Sequence, residues 1–297
     1  MQKITPFLWF NDNAEGAANF YISIFKNSKI ENINYYGETG GKASGKPKGS
    51  IMTVSFQLAG QNFIAINGGS NFTFTPAISF FVSCETSQEL DELWKNLSDG
   101  STVLMELDKY PFSEKFGWLE DKYGISWQLN LKIRPQKIAP FLMYFGNQFG
   151  KAEEAMNFYI SLFKQSSVIN IEHYGVKENE PEGTVKRTIF SLGGQEFMAL
   201  DSNMDHHFTF TPAISFVVNC ETQEEINDLW EKFSKERIPE QCGWIKDKYG
   251  VSWQIVPPIL GQMLGDENTE KSERVMRVML EMKKINILDL QQAYESQ

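Results

Sequence analysis

Two hydrophobic periods alternate along this chain. Ile4–Phe10 is apolar and aromatic with an early proline, which suits the start of a strand. Asn11–Asn13 supplies turn and cap residues, and over Ala14–Phe25 the residues Ala17, Phe20, Tyr21 and Ile24 recur at helical spacing. Lys29–Tyr36 reads as extended, and Gly37–Gly49, rich in Gly, Lys and Ser, reads as a flexible loop. Ser50–Leu58 sets Ile51, Thr53 and Ser55 against Met52, Val54 and Phe56, the period of two expected of a strand; Asn62–Ile66 follows across a turn. The order then restarts: strand Ala77–Val82, helix Ser87–Leu97 with Leu90, Leu93, Trp94 and Leu97 on one face, then strands Val103–Leu107, Phe116–Glu120 and Ile125–Leu131.

The whole programme is then written a second time. Residues 117–129 and 243–255 agree at nine of thirteen positions, and three of the remaining four exchange one aliphatic side chain for another. Phe72–Phe80 and Phe208–Phe216 are identical. Ile138–Phe145 answers Ile4–Phe10, and Ala155–Phe163 answers Ala17–Phe25. Tyr21 lies 138 residues before Tyr159, Trp94 lies 136 before Trp230, and Trp127 lies 126 before Trp253, so the second copy has lost ten residues between its last helix and the Gly-Trp strand. The expected architecture is α+β with two domains, residues 1–134 and 138–258, each holding two strand–helix–three-strand units and eight strands. A charged helical tail, residues 259–297, follows Pro257-Pro258. Val275, Val278, Met279 and Met282 form its apolar face, and Asn286 caps a last helix carrying Leu290 and Tyr294.

Composition narrows the function classes. At 41% hydrophobic, the chain can bury full cores. A formal charge of −10 without a basic stripe argues against nucleic acid as partner. No apolar run is long enough to span a membrane, and the N-terminal residues lack a signal-peptide pattern. Three cysteines make no disulfide framework, so a cytoplasmic, reducing location is expected. Cys84 and Cys220 are repeat equivalents at strand ends and read as structural. Cys242 stands where the first repeat has Phe116 and is the one weak candidate for a catalytic thiol, provided that a neighbouring cation lowers its pKa. Asp121-Lys122 and Asp247-Lys248 read as turn and ion-pair residues.

Two such units per repeat resemble the vicinal oxygen chelate superfamily of glyoxalases, bleomycin-resistance proteins and dioxygenases. Ile4–Phe10, the Asn19-Phe20-Tyr21 helix and the Asp-Lys-Tyr-Gly-x-Ser-Trp-Gln ending look like its PhnB-like branch, a family often labelled 3-demethylubiquinone-9 3-methyltransferase. The resemblance covers residues 4–256 in two copies. It implies that paired units curl into half-barrel cups, and that duplication supplies within one chain what a homodimer supplies elsewhere. It also implies four inward-facing strand positions for a divalent ion. By register these fall near Thr5, Ala65, Ala77 and Gln128, and near Ala139, Ala199, Ala213 and Gln254, none of which is His or a carboxylate. No metal and no cofactor are therefore expected. The three histidines, His173, His206 and His207, read as loop and strand polar groups. The methyltransferase label finds no Gly-rich strand-to-helix turn, since Gly37–Gly49 is read as joining two strands.

What remains is a cup lined by aromatic and neutral polar side chains, suited to a flat or apolar small molecule. Alternation puts Thr5, Phe7 and Trp9 together, with Ser126 and Gln128 opposite them. The second repeat contributes Ala139, Phe141, Met143, Ser252 and Gln254, and Asn67 and Asp201 are placed on the same cup face. The second cup, with Phe141, Asp201, Trp244 and Gln254, is the preferred site, and Phe7, Trp9, Asn67 and Gln128 line the first. The expected function is cytoplasmic small-molecule binding by a monomer or homodimer. The alternatives are a lyase, dioxygenase or transferase of the same superfamily, or an interaction protein with filled cups.

Overall fold

The computed structural model describes residues 2–178, 180–235 and 239–296. The first unit runs β1 (Ile4–Phe10), α1 (Ala14–Ile24), β2 (Lys29–Tyr35), α2 (Glu38–Ser44), β3 (Ile51–Leu58) and β4 (Gln61–Asn67). The second runs β5 (Ile78–Cys84), α3 (Ser87–Leu97), β6 (Thr102–Tyr110), β7 (Ser113–Glu120) and β8 (Ser126–Leu131). The third holds β9 (Ile138–Tyr144), α4 (Ala152–Leu162), β10 (Ser167–His173), β11 (Val185–Leu192) and β12 (Gln195–Asp201). The fourth holds β13 (Ile214–Asn219), α5 (Gln223–Ser234), β14 (Trp244–Lys246) and β15 (Ser252–Val256), and the tail forms α6 (Pro258–Leu264), α7 (Thr269–Glu281) and α8 (Ile287–Glu295).

The repeats are tandem in sequence, yet neither builds a sheet alone. One sheet has the order β14-β15-β13-β1-β4-β3-β2, the other β10-β11-β12-β9-β5-β8-β7-β6. Each is joined at its centre by an antiparallel pair between repeats, β1 with β13 (Thr5 opposite Val217, Phe7 opposite Ser215) and β5 with β9 (Phe81 opposite Ala139, Ser79 opposite Phe141). We call the seven-stranded sheet cup A and the eight-stranded sheet cup B. Cup A is built from the two ends of the chain and cup B from its middle. The placement of Thr5, Phe7 and Trp9 opposite Ser126 and Gln128 is thereby corrected. Their sheet neighbours are Ser252 and Gln254, because the closing strand comes from the other repeat.

The backs of the sheets share one core. Phe63 of cup A meets Phe80 of cup B at 5.2 Å between ring centroids, and Phe197 meets Phe216 at 5.3 Å. Helices α3 and α5 start on Thr86 and Thr222, whose side chains accept the Glu89 and Glu225 amides. Asn13, expected to cap α1, makes no side-chain cap bond. Its part is taken by Asn67 at the far end of β4, whose Oδ1 accepts the Ala14 amide at 2.8 Å.

The second repeat contributes seven strands among the described residues, not eight, because its missing ten residues remove the counterpart of β6. The C-terminal tail fills that edge. Met282 and Lys283 carbonyls accept the backbone N–H groups of Cys242 and Gly243 at 2.7 and 2.8 Å. Gln223 clamps the following turn by donating to the Ile285 carbonyl and accepting from the Ile287 amide. The tail carries one helix more than the sequence pattern indicated, α6, with Pro258 in its first turn. Asn286 caps α8 as expected, accepting from the Leu288 and Asp289 amides. The Gly37–Gly49 stretch contains a helix too. Glycine propensity opposes it, but Glu273 of α7 accepts the Thr39 amide at 2.9 Å, and Gly40 has no side chain to hold Met276 away. No described helix is long and apolar enough to cross a membrane.

The cross-repeat pairing makes a prediction. When a protease site placed in the 132–137 linker is cut, the two halves are expected to stay together and elute at the size of the uncut chain. Separation of half-length, folded fragments on a sizing column would contradict the pairing.

Candidate functional site

The repeated Gly-Trp…Trp-Gln stretch forms the closing hairpin of each sheet, and its aspartate holds the hairpin to a helix. Asp121 is buried at the turn, and its Oδ1 accepts the Tyr123 and Ile125 amides at 2.8 and 3.0 Å. Its Oδ2 accepts the Tyr21 hydroxyl at 2.7 Å and the Trp127 indole N–H at 2.8 Å. Asp247 repeats the arrangement with Tyr249, Val251, Tyr159 and Trp253, its Tyr159 bond being 2.6 Å. Burial pushes both carboxyls above the usual range, and the hydrogen bonds from tyrosine and tryptophan pull them back. Burial, followed by the aspartate charge, pushes Tyr21 and Tyr159 well up, so they remain protonated donors. Both carboxylates are structural. Of their lysines, Lys248 makes the expected ion pair, with Glu154 at 3.0 Å, whereas Lys122 lies over the Phe20 ring at 4.3 Å.

Paired strand residues point to the same side of a sheet, so register reads out each cup face. In cup A, Ser55, Ile64, Phe7, Ser215, Ser252 and Lys246 form one continuous row, and Thr5, Val217, Gln254 and Trp244 form the next. In cup B the corresponding positions are Ile189, Met198, Phe141 and Ser79, then Ala139, Phe81, Gln128 and Trp118. Phe81 stacks on Phe141 at 6.2 Å, and with Phe116, Ala139, Ile189 and Met198 they form a closed cluster. Cup A has Val217 where cup B has Phe81, Cys242 for Phe116, Ser55 for Ile189 and Ile64 for Met198. Val217, Cys242 and Ser55, each smaller than its counterpart, line a cavity of about 280 Å³. Phe7, Trp9, Trp244 and Gln254 line it, Leu264, Met276 and Met279 of the tail roof it, and no charged side chain contributes to its wall.

The expected site residues therefore divide. Phe7, Trp9, Trp244 and Gln254 come together in cup A, while Phe141 and Gln128 belong to the filled cup B. Asn67 and Asp201 are in neither. They share a strand face with Ala65 and Ala199, one residue out of the expected register, and point into the core. Asn67 ties β4 to α1 and β3 through the Ala14 amide and the Ile51 carbonyl, and Asp201 accepts the Ala152 and Val185 amides at 3.1 and 2.9 Å. Cys242 does line the cavity, but burial alone pushes its thiol up to about 11 and no cation pulls it down, so it is not an activated nucleophile. Cys84 and Cys220 are buried and pushed up to about 12. Sequence reading missed Val217, Met276 and Leu264. Val217 carried a signal, since it follows the nine identical residues at the point where the first repeat has Phe81.

The hydrogen bonds on the cup floors are made by neutral groups. Gln254 Nε2 donates to Ser215 Oγ at 3.0 Å, as Gln128 Nε2 donates to Ser79 Oγ at 2.9 Å. In cup B the Trp118 indole N–H donates to Ser126 Oγ at 2.8 Å. In cup A this bond is not made. Trp244 turns edge-on to Phe7 and Trp9, at 5.8 and 6.0 Å, and the buried Ser252 Oγ has no partner among the described residues. An unmet buried hydroxyl of this kind costs about 1–3 kcal/mol. A larger groove of about 990 Å³ lies between β2, α2 and α7, but charged side chains of both signs line it and several already pair, such as Lys42 with Glu38.

Fold and cups together define a tandem glyoxalase-like α+β protein. The chain belongs to the family described as 3-demethylubiquinone-9 3-methyltransferase, whose model matches residues 2–130 and again 136–256. It is 48% identical to a PhnB protein from Bacillus cereus, over 44% of this chain and 99% of that one, with a TM-score of 0.41. Glyoxalase I from Zea mays shares the fold over 89% of this chain and 95% of its own, at 10% identity and a TM-score of 0.54. No curated protein matches the chain. The positions that hold a metal in the resembled superfamily carry no imidazole or carboxylate in this chain. Thr5 and Gln254 face cup A, Ala139 and Gln128 face cup B, and Ala65 and Ala199 face the core. Hydroxyl and amide oxygens without imidazole or carboxylate do not fit a divalent transition ion. Among the described residues no three His, Cys, Asp or Glu gather.

Asp121→Asn is expected to place an amide N–H₂ against the Tyr21 and Trp127 donors and to cost about 2–4 kcal/mol, since each unmet buried group costs about 1–3 kcal/mol. Asp247→Asn is expected to behave alike. Denaturant midpoints check this, and a loss under about 0.5 kcal/mol, the range of neutral surface changes, would be inconsistent with it.

Proposed function

We propose that this protein binds one uncharged, largely apolar small molecule in cup A, beneath the C-terminal helices, without a metal. The observation that carries the reading is the cavity itself. It is concave, aromatic on its floor, neutral throughout and roofed by methionines that adapt to a guest. Its wall draws on both repeats and the tail, whereas the corresponding face of cup B is filled by Phe81, Phe116 and Phe141. The family's name describes a methyl transfer, but among the described residues no Gly-rich turn at a helix start is left open to a ligand's anion. Gly37 does precede a helix, contrary to the sequence reading, yet the start of α2 is occupied by Glu273. The raised Cys242 thiol and the absence of a charged group on the cavity wall favour binding over acid–base or nucleophilic chemistry. On this reading the protein works in the cytoplasm as a monomer or homodimer, with a small molecule and neither nucleic acid nor a membrane as its partner.

Calorimetric titration with naphthalene tests the reading. Val217→Phe, which copies the cup B residue into cup A, is expected to weaken binding at least about tenfold, equal to about 1.4 kcal/mol. The chain should stay folded because Phe is the native residue at the equivalent place. Equal affinity in the variant would sink the assignment to cup A.

A further inference from the structure

We propose that the cup A cavity and the groove beside it form one site, and that its ligand carries an uncharged, hydroxyl-rich end that lies in the groove. The inference rests on the reading of cup A as the binding site. Asn34 and Leu264 line both the cavity of about 280 Å³ and the groove of about 990 Å³, so the two spaces meet at these side chains. The sheet leads from one to the other. Trp9, Ile66, Thr53 and Asn34 are paired in one row across β1, β4, β3 and β2, and all four line the cavity. Neighbouring strands lie about 4.8 Å apart, so the row spans about 14 Å from Trp9 to Asn34. Polarity rises along it, from indole and aliphatic to hydroxyl and amide, and β2 is the edge of the sheet. Asn34 Oδ1 accepts from Asn32 Nδ2 at 2.8 Å, while the Asn34 amide N–H₂ donates to no described residue. Helix α7 borders both spaces, since Met276 and Met279 roof the cavity and Glu273 and Arg277 line the groove. Helix α6 ends at the joint on Gly265, where a Cβ would lie 2.5 Å from Asn34 Oδ1, so glycine keeps a further side chain out of it.

The groove decides what kind of end it accepts. Five carboxylates and four basic groups line it, so an ion of either sign meets like charge on the wall. Hydroxyls suit this mixture, because each one donates to a carboxylate and accepts from a guanidinium or an amide. Glu270 and Arg277 offer both. They line the groove seven residues apart on one face of α7, and their side chains make no hydrogen bond or ion pair among the described residues. Tyr35 adds a ring that is 57% exposed at the groove wall, a flat apolar surface for the C–H face of a sugar ring. The cavity offers the opposite environment, without a charged side chain, and takes the apolar body. The ligand class is therefore a neutral amphiphile, a short apolar chain or ring joined to a polyhydroxyl group.

The full chain is titrated by calorimetry with octyl glucoside below its micelle-forming concentration, 1-octanol, octanoate and octylamine, and with naphthalene as the probe of cup A alone. Wild type is expected to hold octyl glucoside about tenfold tighter than 1-octanol, as one or two added hydrogen bonds give. Octanoate and octylamine are expected to bind no tighter than 1-octanol. In the double variant Glu270→Ala, Arg277→Ala the glucoside-to-octanol preference is expected to shrink to about twofold as those bonds are lost. Both positions are exposed on a helix and alanine favours helix, so the chain stays folded. Val217→Phe is expected to weaken octyl glucoside and 1-octanol by the same factor, because their common chain loses its seat. Equal wild-type affinities for the two, an unchanged preference in the double variant, glucoside binding untouched by Val217→Phe, or tighter binding of octanoate or octylamine than of the glucoside would each overturn the proposal, while naphthalene binding would keep cup A a binding site. Failure of naphthalene and the octyl probes alike would overturn the binding reading and this proposal with it.

Discussion

Every sheet in this protein is completed by the other repeat. A sheet edge presents unpaired N–H and C=O groups, and an isolated unit would leave the inner edges of β1 and β5 bare. β13 and β9 cover them in antiparallel register, so the two copies of the duplicated sequence are bound by backbone hydrogen bonds as well as by a common core. The remaining features follow from that constraint. The cups face outward on either side of the shared core, each one is a composite of both repeats, and a residue's cup partners lie far from it in the chain.

The buried aspartates make the same joint locally. Asp121 takes two hydrogen bonds from its own turn, one from the strand that follows and one from Tyr21, about a hundred residues earlier. A carboxylate out of water is costly, and four donors offset that cost only when all are in place. The identical set around Asp247 explains why the Asp-Lys-Tyr-Gly-x-Ser-Trp spacing is written twice with so little change: the aspartate, the turn amides and the tryptophan all belong to one hydrogen-bonded unit.

Duplication allowed the two cups to diverge. Phe81 and Phe116 close cup B, while Val217 and Cys242 in their places open cup A. Loss of the β6 counterpart left the cup A edge uncovered, and the tail now occupies it through Met282 and Lys283 while α6 and α7 roof the cavity. The ten-residue deletion and the C-terminal extension are two parts of one arrangement.

The duplication, the strand–helix–strand order of each unit, the cap at Asn286, and the neutral residues at the cup positions were legible in the sequence, because periodicity, local capping and residue identity are local properties. The faces of β4 and β12 were misjudged by one residue, and with a side-chain period of two that sent Asn67 and Asp201 to the wrong side. The helix at Glu38–Ser44 was invisible because its stability lies in Glu273 and the close approach of Met276, more than two hundred residues away. Which repeat closes which cup was likewise beyond local reading. Sequence alone determined the units and their chemistry; only the tertiary structure decided how the units pair, because any exposed inner edge accepts a matching strand and the choice is made by the core that the four units bury together.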